Sequence, residues 1–455
     1  METYQGKHVL VVGMARSGIA AAALLAAHGA IVTINDNKTE AELGEALAPL
    51  QGQPVIRKLG CSADSLLEGQ DTLILSPGIP DKAAFVVEAR KKGVRVEAEI
   101  ELAYQLSQGD LVAVTGTNGK TTTVTLLDEI FLASGRTSRA VGNIGFPYSQ
   151  AVAEGHPGDM YVCECSSFQM ETVHAFHPHA AALLNITEDH LNRHGTMEEY
   201  TRLKMRIFEN QTLNDYAIFN GDDPALKGLP EKVQSHVLFF SRQRELEEGA
   251  FVRNGHMILR LSGQETDVIP VDEIYIPGPH NLENALAASL MAFVCGVHAD
   301  VIADTLRRFR GVEHRIEWTR EYKGITYYND SKGTNVDSTL RAVETMTKPT
   351  TIILGGSDKH CDFTPLARAM LDSPYIREAV LLGVTADQIE ATLRREGYTH
   401  ISRVTSMQEA VEKATALSSA GWNVLLSPAC ASFDMFHDYE ERGRIFKQIV
   451  SQLKE

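Results

Sequence analysis

The run Leu111-Val-Ala-Val-Thr115-Gly-Thr-Asn-Gly-Lys-Thr-Thr122 places a short β-branched apolar stretch directly before a glycine loop and a Thr/Leu-rich helical pattern. A strand feeding a glycine turn that opens a helix is the order a phosphate-binding loop requires. Gly116 and Gly119 let backbone N–H groups approach phosphate oxygens, Lys120 adds a mobile positive charge, and the Thr121 hydroxyl is placed to hold a magnesium ion at the helix start. Gly116, Thr117, Asn118, Gly119, Lys120, Thr121 and Thr122 are therefore the predicted ATP-phosphate cradle. The loop is two residues shorter than the standard G-x-x-x-x-G-K-[ST], because Gly116 lies four rather than six positions before Lys120. An ordinary glycine turn is the competing reading, and the strand before and helix after argue against it.

Upstream, Val9-Leu-Val-Val-Gly13 closes an apolar run on glycine, a helical Ala/Leu stretch covers 19–27, and a second strand covers 31–36, which is a βαβ opening. Apolar runs at 72–75 and a helical stretch at 85–92 continue the alternation to about residue 98. Gly13-Met-Ala-Arg-Ser-Gly18 carries Ala15 where a dinucleotide fingerprint needs its middle glycine, so a dehydrogenase reads poorly although Asp36 ends the second strand. Downstream, strand-like runs stand at 161–164, 181–185 and 217–220, and the polar stretch 221–275 reads as an elaborated β region. One helix follows Pro279 and another ends near Arg310. A third unit restarts at Gly324-Ile-Thr-Tyr-Tyr-Asn-Asp330 and alternates through 351–355, 379–383 and 424–427. The prediction is an α/β chain of three domains: a Rossmann-like domain over 1–98, a central P-loop ATPase-like parallel-sheet domain over 99–310, and a C-terminal Rossmann-like domain over 311–455.

Composition narrows the class. The chain has 455 residues, 44% hydrophobic and 22% charged, enough for several cores of ordinary size. Its six cysteines are far apart except for Cys163-x-Cys165, so neither a zinc spacing nor a disulfide framework is visible, and a reducing compartment fits. No apolar run approaches the ~20 residues of a membrane helix, which makes cytosol the expected location. A net charge of −16 without a long Lys/Arg block argues against nucleic-acid or acidic-membrane binding. Anionic substrates then need locally placed donors.

A second cluster says what is done with the nucleotide. Glu164 lies in Cys163-Glu-Cys-Ser-Ser-Phe168 and His190 in Asn185-Ile-Thr-Glu-Asp-His-Leu191, both just after apolar strands, where doubly wound sheets place ligands. A carboxylate and an imidazole there suit Mg²⁺ bridging phosphates. Thr196-Met-Glu-Glu199 starts a helix with a capping box, and Lys204 falls within its apolar stripe of Tyr200, Leu203, Ile207 and Phe208. A charged lysine on a buried face costs several kcal/mol unless it is neutralised or paired. The plainer alternative is a stem that snorkels to the helix edge.

Together the phosphate loop, the Glu-Cys-Ser-Ser-Phe-Gln strand end, the Asn-Ile-Thr-Glu-Asp-His-Leu turn and the lysine of Leu-Lys-Met-Arg resemble the central domain of the Mur ligases. The resemblance covers the whole chain and implies a CO₂-derived carbamate on Lys204, with Thr121, Glu164, His190 and Lys204 holding two magnesium ions. Pro279-His-Asn-Leu-Glu-Asn-Ala285 resembles the family's adenine-contacting helix start, which assigns His280, Asn281 and Asn284 to the nucleotide. Glu313-His-Arg-Ile-Glu317 and Asn329-Asp-Ser-Lys-Gly-Thr334 resemble the third-domain signature, where Arg315 reaches a phosphate, Asp330 the ribose and Lys332 the phosphates or reaction centre.

Asn143 in Gly142-Asn-Ile-Gly145, Lys359 in Gly355-Gly-Ser-Asp-Lys-His360, and Ser427-Pro-Ala-Cys-Ala-Ser-Phe-Asp434 are similar to the D-glutamate-adding branch. That match places Thr334, Lys359, Ser432 and either Phe433 or Tyr439 around the amino acid. No Asp-Asn-Pro-Arg signature of the diaminopimelate- or lysine-adding branch is found. Arg16, Ser17, Asp36, Asn37 and Ser76, with the Ser76-Pro-Gly-Ile79 turn, are implied to hold the uridine diphosphate end of UDP-N-acetylmuramoyl-L-alanine; Asn37-Lys38 stands where some relatives carry Thr-Arg. The implied catalytic set is Lys120, Glu164, His190, Lys204 and Lys332, in a monomer that consumes ATP. A folylpolyglutamate-type ligase shares the phosphate loop but lacks the first domain, and a P-loop kinase explains neither Lys204 nor the third-domain cluster.

Overall fold

The computed structural model describes residues 3–357 and 361–453. The opening βαβ reading holds: β1 (His8–Val12), β2 (Ile31–Asp36), β3 (Val55–Leu59), β4 (Thr72–Leu75) and β5 (Arg95–Ala98) form a parallel sheet ordered β3-β2-β1-β4-β5. Successive strand residues face opposite sides, so both faces need cover. Val9, Val11, Val32 and Ile34 pack under Ile19, Ala22 and Leu25 of the helix Arg16–Ala27. On the other face Leu10, Val12, Leu73 and Leu75 meet Val86 and Ala89.

The central sheet contains β6 (Asp110–Thr115), β7 (Ser138–Gly142), β8 (Met160–Glu164), β9 (Ala180–Leu183), β10 (Tyr216–Asn220), β11 (His236–Ser241), β12 (Gly249–Arg253), β13 (His256–Leu261) and β14 (Gln264–Pro270). Its order is β14-β13-β12-β11-β10-β9-β6-β8-β7. β6 lies between β8 and β9, so the loop that follows it opens at the carboxyl ends of three adjacent buried strands. The stretch read as an elaborated β region supplies β11 and β12, which extend the parallel pairing, and an antiparallel ribbon of β12, β13 and β14.

The third sheet has β15 (Glu317–Tyr322), β16 (Ile325–Asn329), β17 (Thr350–Leu354), β18 (Ile376–Leu381), β19 (Ile401–Arg403) and β20 (Asn423–Leu426), ordered β15-β16-β20-β17-β18-β19. Among the described strands of this sheet, β15 and β16 pair antiparallel and the other pairs are parallel. The first two sheets belong to one compact unit, Met1–Tyr275 with Asn281–Phe309, and the third to a second, Ile276–His280 with Arg310–Glu455.

Buried carboxylates tie the first sheet to the central one. Glu97, Glu99 and Glu101, at the end of β5 and the start of the helix Glu99–Leu106, are all buried. Glu101 accepts the backbone N–H of His174, Ala175 and Phe176 at 2.8–3.0 Å and the Gln105 amide at 2.7 Å. Glu99 accepts the Ser149 N–H at 2.6 Å, yet burial pushes its carboxyl up to about 7. Glu97 accepts the Tyr4 hydroxyl at 2.9 Å beside Arg95. Among the described residues no helix is long and apolar enough to cross a membrane.

Candidate active site

The phosphate loop is held from behind by a residue that the motif reading quoted without assigning. Asn185, two residues after β9, accepts the Asn118 N–H on its side-chain oxygen at 2.8 Å, donates to the Asn118 carbonyl at 3.1 Å, and accepts the Thr117 N–H on its own carbonyl at 3.0 Å. Gly119 caps the helix Lys120–Ala133 at φ 87°, and a Cβ there would run into the Asn284 side-chain oxygen. Asn284 also accepts from the Thr123 hydroxyl at 3.3 Å and donates to Asn281 at 3.3 Å, so the two asparagines share one side of their helix, as their spacing predicts.

Two lysines converge on one carbonyl. The Gly116 oxygen accepts from Lys120 Nζ at 2.9 Å and from Lys204 Nζ at 2.7 Å. Lys204 is 1% exposed, so its stem does not snorkel. Burial, reinforced by the Lys120 charge, holds its amine far below the usual lysine range. The helix carrying it, Met197–Met205, is shorter than the stripe implied, and Ile207 and Phe208 lie in a following 3₁₀ turn but stay buried. Its capping box is half formed: Thr196 accepts the Glu199 N–H, while the Glu199 carboxylate turns to Arg202.

Glu164 ends β8, buried, with one oxygen accepting from Asn143 Nδ2 at 2.9 Å and the other, Oε2, without a hydrogen-bond partner. The Thr122 hydroxyl, in the first turn of the helix after the loop, is also buried without a hydrogen-bond partner, and Thr121 beside it is buried. A carboxylate oxygen and a hydroxyl left open in this way fit a hard cation and the phosphates it accompanies. His190 stands at φ 55° at the head of the turn Leu191–His194, its ring 4.8 Å from that of Phe168 and its Nε2 3.4 Å from the Asp189 carboxylate.

At the carboxyl end of the first sheet, Asp36 accepts the Met14 N–H at 2.7 Å and the Lys38 N–H at 2.9 Å. The Ser76 hydroxyl donates to the Gly13 carbonyl at 3.3 Å, and Arg16 donates to the Gly145 carbonyl at 3.2 Å, next to the Asn143 loop. Ser17 is half-buried in the first helical turn and Asn37 is exposed.

In the second unit the residues predicted around the nucleotide and amino acid gather beside β16 and β20. Asp330 is buried and accepts the Ser427 hydroxyl at 2.6 Å and the Ile316 N–H at 3.2 Å; burial raises its carboxyl to about 6 while Arg315 draws it down. Arg315 lies between two left-handed residues, His314 at φ 66° and Ile316 at φ 45°. His280 is buried with Nδ1 unpartnered, and burial, with Arg341 and Arg315 adding, pushes it down to about 3, so the ring is neutral. The turn Asp330–Thr334 is closed by hydrogen bonds from Lys332 N–H to the His314 carbonyl and from Thr334 N–H to the Lys332 carbonyl. Of the two aromatics proposed for the amino acid, Tyr439 faces Lys332, whose ammonium lies 5.6 Å from its ring, whereas Phe433 is 73% exposed. Ser432 is buried; Lys359 lies outside the described residues.

Arg442 was not picked out from the sequence, where it is one cation on an amphipathic helix. It is 2% exposed and donates to the Ser331 hydroxyl at 2.9 Å, the Ser331 carbonyl at 2.8 Å and the Cys430 and Ala431 carbonyls at 3.1–3.2 Å. One guanidinium thus fixes the Lys332 turn against the Ser427–Asp434 loop. Glu313, His314 and Glu317 also cluster, but both glutamates share the Lys447 ammonium and His314 Nδ1 accepts from Asn329.

Three family models match successive stretches: a Mur ligase MurD-like N-terminal domain over residues 7–98, a Mur ligase middle domain over 114–292, and a Mur ligase glutamate ligase domain over 314–430. A relative in Caldanaerobacter subterraneus, named UDP-N-acetylmuramoylalanine–D-glutamate ligase, is 46% identical over 98% of this chain and 99% of its own length. Its namesake in Clostridioides difficile is 40% identical over 99% of each. In fold, the chain is similar to the UDP-N-acetylmuramate-alanine ligase of Thermotoga maritima, with a TM-score of 0.61 at 20% identity over 98% of this chain and 100% of the other. A pseudomurein peptide ligase type C from Methanothermus fervidus gives 0.60 at 18%, over 99% and 100%. With its three sheets matched in order and full-length relatives at this identity, the chain belongs to the Mur ligase family.

Proposed function

We propose that this chain is an ATP-dependent ligase of peptidoglycan precursor synthesis that joins D-glutamate to UDP-N-acetylmuramoyl-L-alanine, releasing ADP and phosphate. The observation that carries the chemistry is the meeting of Lys120 and Lys204 on the Gly116 carbonyl at the end of β6. The acceptor rests on full-length relatives that carry this activity in their names.

In the proposed reaction an alanyl carboxylate oxygen attacks the γ-phosphorus and the bond to ADP breaks, giving an acyl phosphate. The D-glutamate amine then attacks the acyl carbon, phosphate leaves, and the nitrogen gives up a proton. Lys120 and Lys332 face charge that grows on the transferring group, where fixed cations count most. Burial pushes the Lys204 amine well below the usual lysine range, which favours the neutral form that attacks CO₂; the N–C bond forms, a proton is lost, and a carboxylate-like group results. Thr121, Glu164, His190 and carbamylated Lys204 would hold two magnesium ions, which supply charge neutralisation when bound. His280, Asn281, Asn284, Arg315 and Asp330 take the nucleotide; Thr334, Lys359, Ser432 and either Tyr439 or Phe433 take the amino acid; Arg16, Ser17, Asp36, Asn37, Ser76 and Asn143 take the uridine substrate. The division into 1–98, 99–310 and 311–455, a cytoplasmic monomer, and a place in cell-wall growth, cell shape and division belong to the same reading.

Phosphate release with ATP, Mg²⁺ and UDP-N-acetylmuramoyl-L-alanine, compared across D-glutamate, L-glutamate, L-lysine and meso-diaminopimelate, tests it. Release with D-glutamate alone is expected. Release with another amine overturns the acceptor, and none with any overturns the ligase reading.

A further inference from the structure

Arg193 sits three residues beyond His190, in the same short turn, and is 13% exposed. Four of its five guanidinium N–H groups are committed. Nε and Nη2 form a bidentate pair with Glu171 at 3.0 and 2.6 Å, Nη1 donates to the Pro77 carbonyl at 3.0 Å, and Nη2 donates to the Ile79 carbonyl at 3.0 Å. Those two carbonyls belong to the turn after β4 that begins with Ser76, whose hydroxyl touches the Gly13 loop. The same guanidinium lies 4.1 Å over the Phe168 ring, on which the His190 ring rests at 4.8 Å. Glu171 completes the link by accepting the Asp81 N–H at 3.3 Å.

We propose that Arg193 is a positioning residue that sets the uridine-nucleotide turn of the first sheet in register with the His190 loop of the central sheet. The inference rests on the ligase reading above. A substrate gripped at its nucleotide end and reacting at its alanyl end is sensitive to the spacing between these two loops, and a displacement on the order of 1 Å costs up to about a hundredfold in rate. Only a planar fork can serve a carboxylate and two carbonyls at once, so lysine is not an equivalent.

The test compares Arg193→Ala, Arg193→Lys and Glu171→Gln in the full chain, with KM for each substrate, kcat and the melting temperature. Arg193→Ala is expected to raise KM for UDP-N-acetylmuramoyl-L-alanine and lower kcat by about tenfold or more each, with KM for ATP within about twofold, and Arg193→Lys to recover part of both. Mere structural support predicts a lower melting temperature with unchanged kinetic constants per folded molecule, and that result overturns the proposal. If Arg193→Ala does not fold, Arg193→Lys and Glu171→Gln decide by the same criterion. A wild-type chain that releases no phosphate with D-glutamate overturns the ligase reading and this inference together; an active wild type beside kinetically unaltered variants overturns this inference alone.

Discussion

Two of the chain's glycine loops, after β1 and after β6, lead a strand into a helix alike, and they differ in the side chains gathered around them. After β1, Gly13 at φ 92° leads into the helix Arg16–Ala27, the cap residue Ala15 makes no side-chain hydrogen bond, and the Asp36 carboxylate accepts the Met14 N–H. After β6, Gly119 at φ 87° leads into Lys120–Ala133, and two lysine amines converge on the loop carbonyl. Arg16 opens the helix at the first loop; at the second Lys120 opens the helix, and Lys204, its amine held well below the usual lysine range, lies behind the loop carbonyl. The first arrangement suits a group that is held unchanged through a reaction, the second a group whose charge grows during it.

This contrast breaks most sharply at Lys120 and Lys204. Lys120→Ala, which removes a cation from developing charge, and Lys204→Ala, which removes the proposed carbamate, should each lower kcat by about a thousandfold, with KM for the uridine nucleotide little changed. A steady-state comparison at saturating substrates checks it. Equal effects on kcat and KM would erase the distinction between the loops.

Substituting the two glycines gives the next largest effect. Gly119→Ala drives a Cβ into Asn284 at a left-handed backbone position, and Gly13→Ala drives one to 2.7 Å from Ser76 Cβ. Each should destabilise by about 1–3 kcal/mol in urea titrations. The rise in KM should appear for ATP in the first and for the uridine nucleotide in the second.

Glu99 tests whether both loops stand on one body. Its folded carboxyl sits at about 7 against an ordinary 4.5, so the stabilising contribution of the protonated form is full below about 4.5 and is lost as pH rises through about 7. Glu99→Gln should therefore gain on the wild type between pH 5 and 8, on the order of 2 kcal/mol, with one unfolding transition for the first unit in both. Asp36→Asn is the mildest test. It weakens one hydrogen bond to Met14, on the order of 1 kcal/mol, and should raise KM for the uridine nucleotide a few-fold while leaving KM for ATP unchanged.

Both loops were readable from sequence because each is a local pattern: an apolar strand, glycine, then a helix. Lys204 was readable because a charge inside an apolar stripe contradicts its surroundings. Strand β3 was not, since it carries Arg57 and Lys58 at an exposed edge and lacks a clean alternation. The carboxylates at 97, 99 and 101 read as ordinary polar residues beside a domain boundary, because the partners that bury them, the Tyr4 hydroxyl for Glu97 and backbone amides for Glu99 and Glu101, lie dozens of residues away. Asn185, Arg193 and Arg442 were hidden for the same reason. Their work is done on carbonyls and amides of other loops, and no spacing within their own segment records that.

The Glu97–Glu101 segment also bears on how such chains are recombined. Each glutamate is rooted in the end of β5 or the helix that follows, yet Glu99 and Glu101 answer to amides of the central sheet's connections. A chimera cut between residues 98 and 99 would keep Glu99 and Glu101 with the amides they accept from and would part Glu97 from the Gln105 amide. The same cut would separate Arg193 from the Pro77 and Ile79 carbonyls. A workable seam for exchanging the first sheet therefore lies ahead of Glu99, provided that the turn after β4 matches the parent that supplies Arg193.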